Sequence, residues 1–286
     1  MSDRFSESRV FIVGVGLIGG SIAAALRSRH GDVRITGVGR SRERLQIAVE
    51  RGLLTDYVSE LTAELLSERC VVVMCTPVHV IQQQLVDLAR LCGPDVLITD
   101  GGSVKAGIAA TVSSLPALRS LFVGAHPIAG GENSGFEHSK ADLFEDRLCV
   151  LTPVDNSESQ TLRAQQFWET IGCRCVILDP DEHDRILAMT SHLPHVVAAL
   201  MASVVRPESL AFAGTGFLDT TRVAAGDPEL WTSILRGNKQ HVVEGLACFE
   251  EAVKSLRGAL EDERFEDVTA LLGQAAAARR SMEDAR

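Results

Sequence analysis

Apolar residues fall into two regimes along this chain. Up to Leu178 they come as short runs rich in β-branched residues: Val10–Val13, Val33–Val38, Cys70–Cys75, Asp95–Thr99 and Leu121–Ala125. Runs of this kind read as buried strands of a parallel sheet. Leu148–Leu151 and Cys173–Leu178 extend the set. Between them, helical character marks Ser21–Leu26, Arg42–Arg51 (closed by Gly52), the segments after Pro77 and after Ser103, and Glu158–Ile171. Strands alternating with helices predict a doubly wound, mostly parallel sheet. From Asp179 onward no convincing strand recurs. Pro180–Val205 is mostly helical, Asp227-Pro228 reads as a cap and first turn, and Phe265–Arg280 as a last helix. Val242, Leu246, Phe249, Val253, Leu256 and Leu260 repeat at helical spacing. The expectation is an α/β domain over 1–179 followed by an all-helical domain over 180–286.

The first strand runs straight into Gly14-x-Gly16-x-x-Gly19, and an Ala-rich helix follows. The first glycine permits the tight turn, the second lets backbone approach a pyrophosphate, and the third lets helix pack on strand. The free N–H groups of the helix N-terminus then face the phosphates. In this context the motif points to a Rossmann-type dinucleotide site. An NAD site places an acid at the end of the second strand. Here that region reads Gly37-Val-Gly39-Arg40-Ser41-Arg42, and Glu43 lies too far along. Arg40, Ser41 and Arg42 instead suit a 2′-phosphate, so NADP is the preferred cofactor and NAD the alternative. At the end of the third strand Thr76 and Pro77 read as cap and first turn of the next helix. The expected cofactor contacts are Gly14, Gly16, Leu17, Ile18, Gly19, Arg40, Ser41, Thr76 and Pro77.

Composition narrows the partners. Of 286 residues, 45% are apolar, enough for a substantial core. A formal net charge of −10 argues against nucleic acid and anionic membranes. A small anionic substrate then needs local cations. The seven cysteines include no CxxC pair, and Cys173 and Cys175 alternate across a strand, which suggests reduced thiols in a cytoplasm. The N-terminus has no apolar signal core. Ile186–Val205 lacks Asp, Glu, Lys and Arg and is long enough to span a bilayer. It also holds Ser191, His192, Pro194 and His195, and reads as a buried helix rather than a membrane span. That segment and the stripe from Val242 carry more apolar surface than one small helical domain covers, so a homodimer is expected.

Candidate chemistry lies at the carboxyl ends of the strands, where such sheets bind ligands. Asp100-Gly-Gly-Ser103-Val-Lys105 leads into a helix, and Ser103 reads as a helix cap, a site residue, or both. His126 ends a strand and opens a long polar, glycine-rich connection to Arg147, a length that usually marks a site. A histidine there can accept a proton near neutral pH. His138 and Lys140 in that loop read as solvated. Helical spacing puts Asp184, Ser191 and His195 on one face, although Pro194 can kink the helix. His192 falls off that face and reads as structural. The spacing of His183, His192 and His195 supports a zinc site poorly, and no metal is expected.

GVGLIGGS, DGGSVK, GAHPIAGGENSGFEHSKADLF, SHLPH and DTTRVAAGDPELW, in this order, resemble the prephenate and arogenate dehydrogenases of tyrosine biosynthesis. The resemblance runs from Val10 to about Trp231. It implies a Rossmann domain joined to a helical dimerisation domain, and an NAD(P)-dependent oxidative decarboxylation. In that reaction the ring hydroxyl loses a proton, hydride passes to the nicotinamide, and carbon dioxide leaves as the ring aromatises. By resemblance His126 is the base and Ser103 stands between nicotinamide and substrate hydroxyl. His195 and Arg222 hold substrate carboxylates, and Asp184 pairs with the catalytic histidine. Trp231 lies near the pocket or only packs there. Gly131 departs from the HPIAGTE pattern of many relatives, which removes a hydroxyl near the substrate. Two other readings compete: another Rossmann-plus-helical enzyme of β-hydroxyacid or imine type, and a non-catalytic NADP-binding sensor.

Overall fold

The computed structural model describes residues 7–131, 133, 135–154 and 158–284. Glu132 and Ser134 of the glycine-rich loop and the polar stretch Met1–Ser6 lie outside the described residues.

The alternation continues as the sequence predicts: β1 (Arg9–Val13), α1 (Leu17–Arg29), β2 (Arg34–Val38), α2 (Arg42–Glu50), β3 (Asp56–Val58), β4 (Cys70–Met74), α3 (Val78–Leu88), β5 (Val96–Asp100), α4 (Ala106–Ser113), α5 (Pro116–Arg119), β6 (Phe122–Pro127), β7 (Leu148–Pro153), α6 (Glu158–Thr170) and β8 (Arg174–Ile177). The strands form one eight-stranded sheet in the order β3-β2-β1-β4-β5-β6-β7-β8. Strand order reverses between β1 and β4, which places the topological switch point beside the glycine loop. All pairs are parallel except β6 and β7, where His126 stands opposite Val150. Side chains alternate between the faces: Val10 and Ile12 join one buried cluster, Phe11 and Val13 the other. The edge strand β3 escapes the sequence pattern because its three residues, Asp56, Tyr57 and Val58, are exposed or half-buried and carry no apolar run.

After β8 the chain is helical: α7 (Pro180–Leu187), a π-helical stretch over Ala188–His192, α8 (Leu193–Val204), α9 (Thr215–Thr221), α10 (Pro228–Gly237), α11 (Lys239–Glu261) and α12 (Phe265–Asp284). Asp179 starts this region by accepting hydrogen bonds from the N–H groups of Asp181 and Glu182. By packing, residues up to Lys239 form one compact unit and Gln240–Arg286 a second. Within the first, α7 lies against α4 and β7, and α10 against α3. The second comprises α11 and α12; Val242 and Ala259 on α11 are buried, while Phe249, Val253 and Leu260 stay exposed. Pro180–Val204 is long and apolar enough to cross a membrane by length and composition alone. It buries His183, Asp184, His192 and His195 and exposes Leu200, Met201 and Val204.

Candidate active site

The glycine loop has the geometry its sequence demands. Gly14 sits at φ +91°, and a Cβ there would stand 2.8 Å from Thr76 Cγ2. A Cβ on Gly19 would strike the Gly14 carbonyl at 2.4 Å, so this glycine lets α1 pack on β1. Gly16 is the cap position of α1, which has no side-chain cap, and nothing lies within 4 Å of where its Cβ would stand. An open backbone at an uncapped helix start fits a pyrophosphate. Half-buried Leu17 and Ile18 follow on the first turn. Arg40 is exposed at the end of β2, and Ser41 caps α2 by accepting from the Arg44 N–H at 3.4 Å. The expected cap at Thr76 is corrected: the cap position of α3 is Pro77, and the Thr76 hydroxyl donates to Gln84 Oε1 at 2.7 Å.

Ser103 is half-buried between β5 and α4, but it does not cap α4, whose cap position is Lys105 with no capping side chain. The cap comes from far along the chain. Asp184 accepts from the backbone N–H of Lys105 at 2.8 Å (Oδ1) and of Ala106 at 2.9 Å (Oδ2). A carboxylate there satisfies orphan donors and meets the positive end of the helix dipole. Asp184 Oδ1 is also 2.7 Å from His183 Nδ1, and His183 Nε2 is 2.9 Å from His126 Nδ1. The expected direct pairing of Asp184 with His126 is therefore corrected, because His183 stands between them. These contacts fix the tautomers. A carboxylate only accepts, so His183 carries its proton on Nδ1 and offers a lone pair at Nε2. His126 then donates from Nδ1 and keeps its own lone pair at Nε2. Neighbouring residues diverge by about 100° on a helix, so sequence spacing gave no sign that His183 and Asp184 act in series.

The backbone before His126 is held with equal care. The β5–β6 ladder stops at Thr99 and Val123. Beyond it, buried Asp100 accepts from the Ala125 N–H at 2.9 Å, and buried Lys105 donates to the Ala125 carbonyl at 2.8 Å. Asp100 and Lys105 are themselves ion-paired. Burial foremost, then His183 and the Lys105 ammonium, hold the His126 imidazole well below its ordinary range. It is therefore neutral at neutral pH.

The shared face of Asp184, Ser191 and His195 is also corrected. The π-helical stretch at 188–192 changes the phase of the helix, a distortion common at functional sites. Asp184 consequently serves the sheet side, while His195 stacks flat on half-buried Trp231. His192 is buried and linked to Asn238, whose Nδ2 lies 3.1 Å from His192 Nδ1 and donates to the Asp184 carbonyl at 2.6 Å. Desolvation lowers His192 to about 4. Arg222 lines a cavity of about 730 Å³ with Leu17, Gly130, Gly131, Glu137, His138 and Lys140 among its walls. His138 and Lys140 are exposed, as expected of solvated side chains, and they also face this cavity. A Cβ on Gly131 would meet Leu17 Cδ2 at 3.4 Å, an ordinary contact. No group of three metal-ligating side chains occurs among the described residues.

Two family models match the chain: "Prephenate dehydrogenase, nucleotide-binding domain" over residues 22–177 and "Prephenate dehydrogenase, dimerization domain" over 179–274. The chain belongs to the prephenate dehydrogenase family. It is 32% identical over 273 residues to a Bacillus subtilis prephenate dehydrogenase, covering 92% of this chain and 72% of that one. Among solved structures it is similar to prephenate dehydrogenase from A. aeolicus in complex with hydroxyphenyl propionate and NAD+. That match has TM-score 0.88 and 30% identity, over 97% of this chain and 99% of that one. It is likewise similar to a Synechocystis arogenate dehydrogenase, with TM-score 0.81 and 30% identity over 96% and 99% of the two chains. Membership in this family makes the chain an oxidoreductase.

Proposed function

We propose that this chain catalyses the NAD(P)-dependent oxidative decarboxylation of prephenate or arogenate, giving 4-hydroxyphenylpyruvate or tyrosine, with His126 as the base. The observation that carries the role of His126 is the fixed tautomer order from Asp184 through His183, which leaves the His126 Nε2 lone pair free for a substrate proton. Neutral His126 accepts the ring hydroxyl proton there as the carbonyl develops. Half-buried Ser103, on the loop beside β6, approaches the same hydroxyl. Arg222 and His195 take the substrate carboxylates, the guanidinium by a two-point contact, and Trp231 backs His195. The Gly14–Gly19 loop, with Thr76 and Pro77, would hold the NAD(P) cofactor, whose nicotinamide would accept the hydride. Carbon dioxide leaves as the ring aromatises, and the phenolate oxygen so formed takes the proton back from His126.

Arg40 and Ser41 at the end of β2, with no acid beside them, support a preference for NADP over NAD. The exposed apolar residues Val204, Phe212, Leu218, Phe249 and Val253 support a homodimer formed through the helices after Asp179. The seven free cysteines fit a cytoplasmic enzyme. Mixing the protein with prephenate or arogenate and each oxidised cofactor, while following reduced nicotinamide by absorbance, tests the whole reading. Turnover of at least one substrate is expected, faster with NADP at limiting cofactor. No turnover of either would refute the activity, and tighter use of NAD would refute the cofactor preference.

A further inference from the structure

The base reading leaves a physical problem. An imidazole whose charged form is disfavoured by burial and by a nearby ammonium is a weak proton acceptor. The groups facing His126 are His183 from α7, Lys105 from the segment before α4 and, farther off, His192. None of them welcomes a cation on His126. His183 is placed differently. It is fully buried, its Nε2 is 2.9 Å from His126 Nδ1, and its Nδ1 is 2.7 Å from the Asp184 carboxylate. A positive charge on His183 therefore lies against an anion, whereas the same charge on His126 lies near Lys105.

We propose that His183 takes over the charge that His126 acquires during turnover. As the substrate O–H bond breaks and an N–H bond forms at His126 Nε2, the His126 Nδ1–H bond breaks and that proton bonds to His183 Nε2. His126 ends neutral with its proton on Nε2, and His183 becomes an imidazolium paired with Asp184. As carbon dioxide leaves and the ring aromatises, the former carbonyl oxygen becomes a phenolate that takes back the His126 Nε2 proton, and the His183 Nε2 proton returns to His126 Nδ1. No net proton is released, because the proton taken from the substrate hydroxyl is returned to the phenol oxygen of the product. His183 is thus a positioning residue that also stores a proton, acting through His126 and touching no substrate.

This inference rests on His126 being the base, and its test separates the two ideas. His183→Gln keeps an acceptor oxygen where His183 Nε2 stands but cannot take the proton. We expect kcat to fall roughly 10- to 100-fold, with both KM values little changed. Rates in mixed light and heavy water should show two moving protons in the wild type and one in the variant. A proton inventory showing a single moving proton in the wild type itself would contradict the relay, whatever the variant does to folding. If His183→Gln keeps wild-type kcat while His126→Asn is inactive, or if the wild type moves only one proton, the relay is wrong and the base reading stands. If His126→Asn is itself active, the base reading fails.

Discussion

The imidazole of His195 lies flat on the indole of Trp231, with ring centroids 3.5 Å apart and planes 10° from parallel. His195 is buried, and its Nδ1 has no hydrogen-bond partner among the described residues. Gly226 closes over the pair: a Cβ there would stand 2.6 Å from Trp231 Nε1 and 3.2 Å from His195 Cε1. A buried polar atom without a partner is costly unless a ligand completes it. His195→Asn and Gly226→Ala should each raise the substrate KM, by about 10- to 100-fold for His195 if its contact is charge-assisted. The cofactor KM should stay put. Equal effects on both KM values would make the stack a folding element only.

Arg222 is the second anchor that the proposed function assigns. Arg222→Gln keeps size and some hydrogen bonding but loses the charge and the two-point fit to a carboxylate. Substrate KM should rise by at least about tenfold, because hydrogen bonds to charged groups are each worth ~1.5–3 kcal/mol. Steady-state kinetics with substrate and cofactor varied in turn checks this. An unchanged substrate KM would assign Arg222 a structural role.

These anchors show what the sequence could and could not disclose. The β-branched runs and the glycine loop announced β1, β2, β4, β5 and β6, because a strand buried on both faces must be apolar throughout. The His126 loop stood out by its length. The order Asp184, His183, His126 did not, since it joins a helix to a strand end through tertiary packing. The cap of α4 was equally hidden: Ser103 was the local choice, but the carboxylate comes from Asp184. The phase of the helix after Asp184 was misread because periodicity arguments assume 3.6 residues per turn, and Ala188–His192 is wound as a π-helix.

His192 should make stability depend on pH. It titrates near 6.5 when unfolded and at about 4 when folded. Between those values the unfolded chain binds more protons, so stability is fully present above pH 6.5 and declines as pH falls toward 4. The gap corresponds to about 3 kcal/mol for a fully buried group. Urea melts of the wild type and His192→Asn across this range should show a shallower acid decline in the variant, whatever its stability at neutral pH. Parallel curves would contradict the burial argument.

At the opposite ends of the strands, Arg163 forms a two-point contact with Glu7, at 2.5 and 2.8 Å, and donates to the carbonyls of Asp95 and Cys70. Both side chains are nearly buried. Removing one partner leaves an uncompensated buried charge, so Glu7→Ala should cost ~3–5 kcal/mol. Denaturant titration measures the loss, and activity per folded molecule should be retained. A loss below about 1 kcal/mol, the usual worth of an exposed pair, would contradict this reading.

The most direct test of the base assignment is the pH dependence of turnover in the wild type and in His126→Asn. In the wild type, kcat/KM should fall on the acid side, with its midpoint below the ordinary histidine value of 6.5 because burial, His183 and Lys105 disfavour the charged imidazole. In His126→Asn, kcat should drop ~10²–10⁴-fold, the acid limb should vanish, and cofactor affinity should hold. Near-normal kcat in this variant with chemistry rate-limiting, or an acid limb abolished by His195→Asn alone, would contradict the assignment of the base.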